Sequence, residues 1–194
     1  MGYGVFATQD IPKGTITWAM DCLDRVFKPD DIISLGLEYR DIIDKYTFRD
    51  NQGNFILCWD HGRFINHSFR SNCLTTAYDF ELAIKDIKAG EELTDDYGYL
   101  NLDEPFECIP EKWSRRTKVT RQDILRLHKT WDKKLLDAFG YFNSVEQPLK
   151  KFVNKEVFGK CQGITEGTTK MDSILTCYYN GEDGLEALMG EAAV

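Results

Sequence analysis

Short apolar segments separated by polar turns run through the first half of the chain and predict small β-strands. β-prone runs occur at 4–7, 15–20, 55–59, 75–84 and 92–96. Asp and Gly recur between these runs, and both residues favour tight turns. The pattern therefore predicts a β-rich unit in the first part of the chain.

The segment 28–46, KPDDIISLGLEYRDIIDKY, has helical spacing instead. Pro29 lies near its start and is followed by Asp30 and Asp31, as a helix N-terminus prefers. The apolar positions that would form one face are Ile32, Leu35, Tyr39 and Ile42. We expect a helix here, between the second and third strands.

A second helix is predicted over 120–140, where Thr120 is a suitable N-cap and Gly140 a suitable stop. Its apolar stripe would consist of Ile124, Leu127 or His128, Trp131 and Leu135. We therefore expect an α+β fold that is mainly β, divided into residues 1–105 and a helical region at 106–194.

The length and net charge of the chain limit which classes of function are plausible. With 194 residues, 42% of them hydrophobic, the chain can form one domain with a sizeable core. Its formal net charge of -8 disfavours direct nucleic-acid binding, which needs a basic face for the phosphates. An acidic surface suits a basic protein or peptide partner, although it also serves simple solubility.

The cysteines and the apolar runs bear on the cellular compartment. The 6 cysteines form no C-x-x-C pair, so neither a disulfide framework nor a zinc ribbon is predicted. No apolar run approaches the roughly 20 residues of a membrane span, and no basic-then-apolar leader opens the chain. We expect a soluble intracellular protein, cytoplasmic or nuclear. The chain opens at once on the motif-like MGYGVFA, and we expect that a preceding segment has been lost.

Four short stretches carry unusual flexibility or hydrogen-bonding capacity. They are GYGVF at 2–6, KYTF around Tyr46, RFINHS at 63–68 and ELTDDYG at 92–98. Taken singly, each has an ordinary explanation: a glycine turn, a capped or core histidine, or a buried tyrosine with a satisfied hydroxyl. Their order and spacing along the chain are jointly more specific than any one of them.

In this combination the chain resembles the SET-domain family of protein-lysine methyltransferases over about residues 2–105. The resemblance implies a β-clip of small sheets with a pseudoknot, in which the segment carrying a catalytic tyrosine threads through a neighbouring loop. It implies S-adenosyl-L-methionine as cofactor, S-adenosyl-L-homocysteine as product, and a lysine of a basic protein, such as a histone, as substrate.

The same resemblance implies roles for individual positions. Backbone at Gly2, Tyr3 and Gly4 would lie against the cofactor, with Arg63 at its polar edge. Asn66 and His67 would hold the adenine and nearby atoms. Tyr97 would line both the cofactor sulfonium and the lysine channel as the main catalytic residue, and Tyr46 matches a second family tyrosine.

Three features depart from the family pattern. Phe69 follows the N-H-S stretch where many members have Cys, and Cys108 stands alone, so no metal is predicted and another element must close the channel. Phe106, Trp113 and Trp131 of the C-terminal region could provide that closure. Asp95, two positions before Tyr97, replaces a common aromatic residue; it could pair with the substrate ammonium or face away from the channel.

Two other functions remain open from the residues alone. A SET domain without turnover would bind cofactor or protein as a module. Two features leave this alternative open: Asp95 near the catalytic tyrosine, and the start of the chain directly at the glycine stretch. A metal hydrolase built on His61, His67 and nearby cysteines is disfavoured, because the chain lacks the paired ligand spacing of such sites.

Overall fold

The strands in this protein are short, and helices concentrate towards its C-terminal end. A computed structural model describes residues 2–181. The strands are β1 (Val5–Phe6), β2 (Ile16–Ala19), β3 (Arg25–Phe27), β4 (Thr47–Arg49), β5 (Phe55–Leu57), β6 (Asn66–His67), β7 (Cys73–Thr75), β8 (Phe80–Ala83), β9 (Glu92–Asp95), β10 (Phe106–Glu107) and β11 (Lys118–Val119). The α-helices are α1 (Pro29–Ser34), α2 (Arg40–Tyr46), α3 (Asp123–Phe139) and α4 (Lys155–Thr165).

These strands form small sheets, which confirms the predicted α+β fold of small sheets with helices. Antiparallel sheets have the orders β2–β8–β7 and β3–β5–β4, and β10 pairs with β11 as a hairpin. The predicted strand at 75–84 is in fact two strands, because the chain turns before Phe80 and Asp79 takes a positive φ of 57°. A single β-prone run in the sequence thus hides a hairpin.

The sheet β1–β9–β6 brings together segments far apart in sequence. β1 is antiparallel to β9, whereas β6 runs parallel to it, with Asn66 opposite Thr94 and His67 opposite Asp95. Parallel neighbours cannot be joined by a tight turn, so the chain must leave and return between them. This contact puts the N-H stretch beside the residues that lead into Tyr97, and the pseudoknot implied by the resemblance stays a prediction.

The sheet β2–β8–β7 divides the interior into two sides. Side chains alternate across a strand, so Phe80 and Leu82 face one side of β8 and Glu81 the other. Phe80 and Leu82 are fully buried in the main core, together with Leu135 and Phe139 of α3. The opposite face, which carries Glu81, forms part of the cavity described below.

The helix predicted over 120–140 is present as α3, with Ile124, Trp131 and Leu135 buried as expected. Its regular turns begin at Asp123, and the Asp123 carboxylate accepts the backbone N–H of Thr120, which is one half of a capping box, and also binds Arg116 outside the helix. Residues of α3 and β8 pack together in one core, so this core does not separate the two predicted regions. The division of the chain at residue 105 stays a prediction. Residues 182–194 of the second region lie outside the described part.

The helix predicted over 28–46 is interrupted. Leu35 has the extended angles φ −76° and ψ 142°, and a 3-10 turn at Leu37–Tyr39 separates α1 from α2. The interruption changes the phase of the apolar positions, so that Ile43 is buried whereas Tyr39 and Ile42 are exposed. Leu35 still packs beside Ile32 in the same small cluster, and the single stripe predicted there was wrong for Tyr39 and Ile42. In the described residues, no helix is both long and apolar enough to span a bilayer.

Candidate functional site

A cavity of about 490 Å³ opens between the Glu81 face of β8, the end of α2 and the 3-10 turns at His61–Phe64 and Tyr97–Tyr99. Its walls are largely aromatic and aliphatic. Among the residues that the sequence singled out, those that line it are Tyr46, Arg63, Asp95, Tyr97 and Phe106. These residues come from five different elements and loops, so only the folded chain brings them together.

Tyr97 is held at both ends. Its backbone N–H donates to His67 Nδ1 at 3.1 Å, and its hydroxyl donates to the Ile65 carbonyl at 2.6 Å. The rings of Tyr97 and His67 lie 5.3 Å apart. The Tyr97 hydroxyl hydrogen is therefore committed to Ile65, which leaves its oxygen lone pairs as acceptors at a fixed position.

His67 is neutral in this setting. Burial lowers the pKa of His67, and because Nδ1 accepts the Tyr97 N–H, the ring proton is assigned to Nε2. Nε2 is buried and has no hydrogen-bond partner among the described residues. A buried donor without an acceptor is costly in a finished protein, so this atom indicates a missing partner.

The glycine stretch meets Asn66 on a separate side of the β1–β9–β6 sheet. The Asn66 amide donates to the Tyr3 carbonyl at 2.9 Å and to Glu92 Oε1 at 2.7 Å. A Cβ on Gly4 would collide with Glu92 Oε1 and lie 3.2 Å from Asn66 Nδ2, whereas a Cβ on Gly2 would meet nothing within 4 Å. A side chain at Gly4 would therefore have to displace the Glu92 carboxylate, whereas one at Gly2 would displace nothing.

The predicted site residues therefore fall into two groups. Gly4, Tyr3, Asn66 and Glu92 form one, and none of them lines the cavity that holds Tyr97. His67 and Tyr97 connect the two groups through their mutual hydrogen bond. Glu92 was not among the predicted residues, because a glutamate at the start of a strand is unremarkable until the fold shows that it lies beside Asn66.

Two predicted residues have contacts that the sequence could not indicate. Arg63 donates to the carbonyls of Cys58 at 3.1 Å and Trp59 at 2.9 Å, and its guanidinium lies 4.8 Å from the Phe64 ring centroid. Tyr46 packs edge-on against the same Phe64 ring at 5.9 Å. Arg63 thus lines the Tyr97 cavity, and its assignment to the cofactor edge stays a prediction.

The floor of the cavity carries two carboxyl groups, Asp95 and Glu81. The Tyr99 hydroxyl donates to Asp95 Oδ2 and lies 3.4 Å from Glu81 Oε1. Burial raises the pKa of Glu81 to about 7, and burial together with the nearby Glu81 charge raises the pKa of Asp95 well above its usual range. Two neighbouring buried carboxyls cannot readily ionise together, so the pair retains a proton near neutral pH.

The β10–β11 hairpin covers the site beside Tyr97. The Phe106 ring lies 6.1 Å from the Tyr97 ring and 6.3 Å from the His67 ring. Of the two tryptophans considered for closure, Trp131 packs edge-on against Tyr99 in the core, whereas Trp113 is 71% exposed. Of these three residues only Phe106 lines the cavity, and the closure of a substrate channel by this region stays a prediction.

Charged groups attach this hairpin to the rest of the fold. Arg116 binds Asp96, next to Tyr97, at 2.5 Å, and Asp123 at the start of α3 at 2.8 Å. Its guanidinium also lies 4.5 Å from the Phe69 ring, at the position where many relatives have Cys. Among the residues the structure describes, no group of three or more His, Cys, Asp or Glu side chains could hold a metal ion.

Comparison with solved structures gives distant matches. A candidate histone methyltransferase of Plasmodium falciparum is 20% identical with a TM-score of 0.34, over 48% of this chain and 82% of that one. A humanized mutant of Polycomb Repressive Complex 2 from Chaetomium thermophilum, bound to an inhibitor, is 18% identical with a TM-score of 0.35. That match covers 85% of this chain and 22% of the other.

These TM-scores are too low to support conclusions about this chain, and among curated proteins no match is found. The family assignment comes from the sequence of the first half of the chain. The family model of the SET domain matches residues 2–98, which is half of the 194 residues and includes the glycine stretch, the N-H-S stretch and Tyr97. The chain therefore belongs to the SET-domain family.

Proposed function

We propose that this chain is a protein-lysine N-methyltransferase that uses S-adenosyl-L-methionine on a lysine of a basic protein segment. The observation that carries the proposal is the double anchoring of Tyr97, by His67 at its backbone and by Ile65 at its hydroxyl. This anchoring fixes a phenol oxygen in the lining of the cavity and ties its residue to His67, the neighbour of Asn66 on β6. Such a residue can align two reactants that enter from different sides.

The Asn66 group is chemically suited to the proposed cofactor. S-adenosyl-L-methionine supplies a methyl group on a positively charged sulfonium and also carries an ammonium. The Glu92 carboxylate offers a negative charge beside Asn66, and His67 Nε2 offers an unpartnered donor. Gly4 leaves backbone accessible at a point that any side chain would fill. In this assignment Gly2, Tyr3, Gly4, Asn66 and His67 hold the cofactor, with Glu92 added.

The cavity is suited to a lysine side chain. A free lysine has a pKa of about 10.4, and only its neutral amine can attack a methyl group. Transfer into an aromatic and aliphatic cavity disfavours the charged ammonium and so lowers that pKa. Burial raises the pKa of Tyr97, first through desolvation and then through Asp95 and Glu81, so the phenol stays protonated. Tyr97 therefore acts by orientation and by its lone pairs, not as a base.

A basic protein segment is the proposed substrate because of charge. The chain carries a formal net charge of -8, and two exposed carboxylates, Asp41 and Asp44, lie at the α2 side of the cavity. Lysine-rich segments, histone tails among them, would be attracted to such a surface. Neither the particular protein nor the number of methyl groups follows from these features.

The proposal is tested by incubating the purified chain with S-adenosyl-L-methionine labelled on its methyl group and with histones or a cell lysate. We expect label on lysine, mapped by mass spectrometry, and about a 100-fold loss of rate in Tyr97→Phe because the reactants are misaligned. The control is Tyr141→Phe, an exposed tyrosine that follows α3 and does not line the cavity, which should keep full rate. Cofactor binding without labelling of any lysine would instead favour a binding module and refute the proposed activity.

A further inference from the structure

Glu81 occupies a position in the cavity that its strand dictates. Its cross-strand partners are Trp18 on β2 and Thr75 on β7, and all three line the cavity. The neighbouring residues on β8, Phe80 and Leu82, are fully buried on the opposite face. A carboxyl at this position cannot turn into the core, so it faces the cavity.

One oxygen of this carboxyl has no partner. Glu81 Oε2 is buried and makes no hydrogen bond among the described residues, and the same holds for Trp18 Nε1. Buried polar atoms of folded proteins are nearly always paired. An acceptor left open in a cavity floor is suited to a ligand that brings an N–H or N⁺–H donor.

Asp95 completes the floor. Its Oδ2 accepts the Tyr99 hydroxyl, which also lies 3.4 Å from Glu81 Oε1, while its Oδ1 accepts the Asp96 N–H at 2.8 Å. Asp95 is thus fully engaged with the protein, whereas Glu81 has a free oxygen. Hydrogen bonds donated to both Asp95 oxygens favour its charged form, so Glu81 and Asp95 are best described as two carboxyls that share one proton, and the free Glu81 oxygen is the acceptor of the pair that faces the cavity.

We propose that the Glu81–Asp95 pair, through the free Glu81 oxygen, accepts the proton of the substrate ammonium group in this cavity; this inference rests on the proposed lysine methyltransferase function. In this step one N–H bond of the ammonium breaks and one O–H bond forms on Glu81. The nitrogen keeps the electron pair and becomes the neutral amine that can attack a methyl group. When the product leaves, the proton passes from Glu81 to solvent, so the carboxylate is regenerated.

Other groups near the pair are less suited to this step. The groups that lie near the pair are Cys58, Asp60, Arg63, Cys73, Asp96 and Tyr97, and α2 adds Asp41, Asp44 and Lys45, which are exposed at the other side of the cavity. Burial raises the pKa of both thiols and of Tyr97, and Arg63 has no basic lone pair to offer. Asp96 and Asp60 are engaged with Arg116 and with the Gly62 N–H, respectively. Burial raises the pKa of Glu81 to about 7, which suits a group that accepts and releases a proton near neutral pH.

The test uses n-butylammonium, which copies the end of a lysine side chain, and n-pentanol as its uncharged counterpart. Binding to the unmodified chain is measured by NMR titration between pH 5.5 and 8.5, a range in which butylammonium stays charged. Glu81 is ionised above about pH 7 and protonated below it. We therefore expect butylammonium affinity to fall at least about 10-fold as the pH drops through 7, with pentanol affinity unchanged. Equal butylammonium affinity at both ends of the range overturns the inference.

Variants add a second measurement. Glu81→Gln should remove the pH dependence and the preference for the cation, while the control Asp30→Asn, at an exposed carboxylate of α1 that does not line the cavity, should keep both. In the labelling assay, single-turnover rates of the unmodified chain should rise with pH through about 7, and those of Glu81→Gln should not. If Glu81→Gln does not fold, the pH titration of butylammonium binding to the unmodified chain still tests the proposed role of Glu81.

The two proposals can fail separately. Lysine labelling together with pH-independent butylammonium binding would refute the role of Glu81 and leave the methyltransferase standing. No labelling together with pH-dependent binding would refute the methyltransferase, and with it the proton transfer, while leaving a cation site on the cavity floor.

Discussion

Replacing Arg116 by alanine should destabilise the protein and loosen the cover over Tyr97. The guanidinium binds two carboxylates that are almost completely buried: the side chains of Asp96 and Asp123 are 4% and 9% exposed. Its removal would leave both without their cation in a poorly solvated place. Breaking a buried pair in this way costs about 3–5 kcal/mol.

Two features of the site reduce the loss of unfolding free energy expected for Arg116→Ala. The Arg116 side chain is 25% exposed, so solvent screens part of the interaction. Each carboxylate also keeps a backbone donor, Gly98 N–H for Asp96 and Thr120 N–H for Asp123. We therefore expect a loss of about 2–3 kcal/mol, which for a chain of this length lowers Tm by roughly 4–12 °C.

The measurement is urea and thermal unfolding of the unmodified chain, Arg116→Ala, Arg116→Lys and Arg115→Ala. Arg115 is the matched control, since it is the adjacent arginine and is exposed. Arg116→Lys should recover only part of the stability lost in Arg116→Ala, because lysine keeps the charge but cannot bind two carboxylates with a planar guanidinium. If the unfolding free energies of Arg116→Ala and Arg115→Ala differ by less than about 0.5 kcal/mol, the ion pairs contribute little and the reasoning is wrong.

Two further predictions use matched pairs of residues within the chain. Gly4→Ala should weaken S-adenosyl-L-methionine binding at least about 10-fold by calorimetry, since its methyl group would displace Glu92, whereas Gly2→Ala, with open space around it, should bind normally. Equal binding by the two variants would remove the glycine stretch from the proposed cofactor site. Trp131→Ala, which empties a 2% exposed position in the core, should cost about 3–5 kcal/mol in urea unfolding, whereas Trp113→Ala at a 71% exposed position should change stability by less than about 0.5 kcal/mol. Similar values for the two tryptophans would contradict the core described for α3.

Local patterns in the sequence were sufficient for several elements. The apolar spacing of 124–135 predicted α3, because a helix with one buried face needs no distant information to be recognised. The order of the glycine stretch, the N-H-S stretch and Tyr97 predicted the family, and the pairing of β6 with β9 explains why that order matters. Where local pattern failed, as at 28–46, a short extended break at Leu35 shifted the phase of every apolar position after it.

The sequence by itself determined which residue types are available, the main helix and the family. Only the tertiary structure decided which of these residues meet. Glu81 is one charged residue in an apolar strand until β2 and β7 flank it and make its face a cavity floor. Arg116 is one of several arginines until the β10–β11 hairpin brings it to Asp96 and Asp123. The physical reason is that burial and partnership, which set the charge state and energy of such groups, depend on contacts between segments that the chain order keeps far apart.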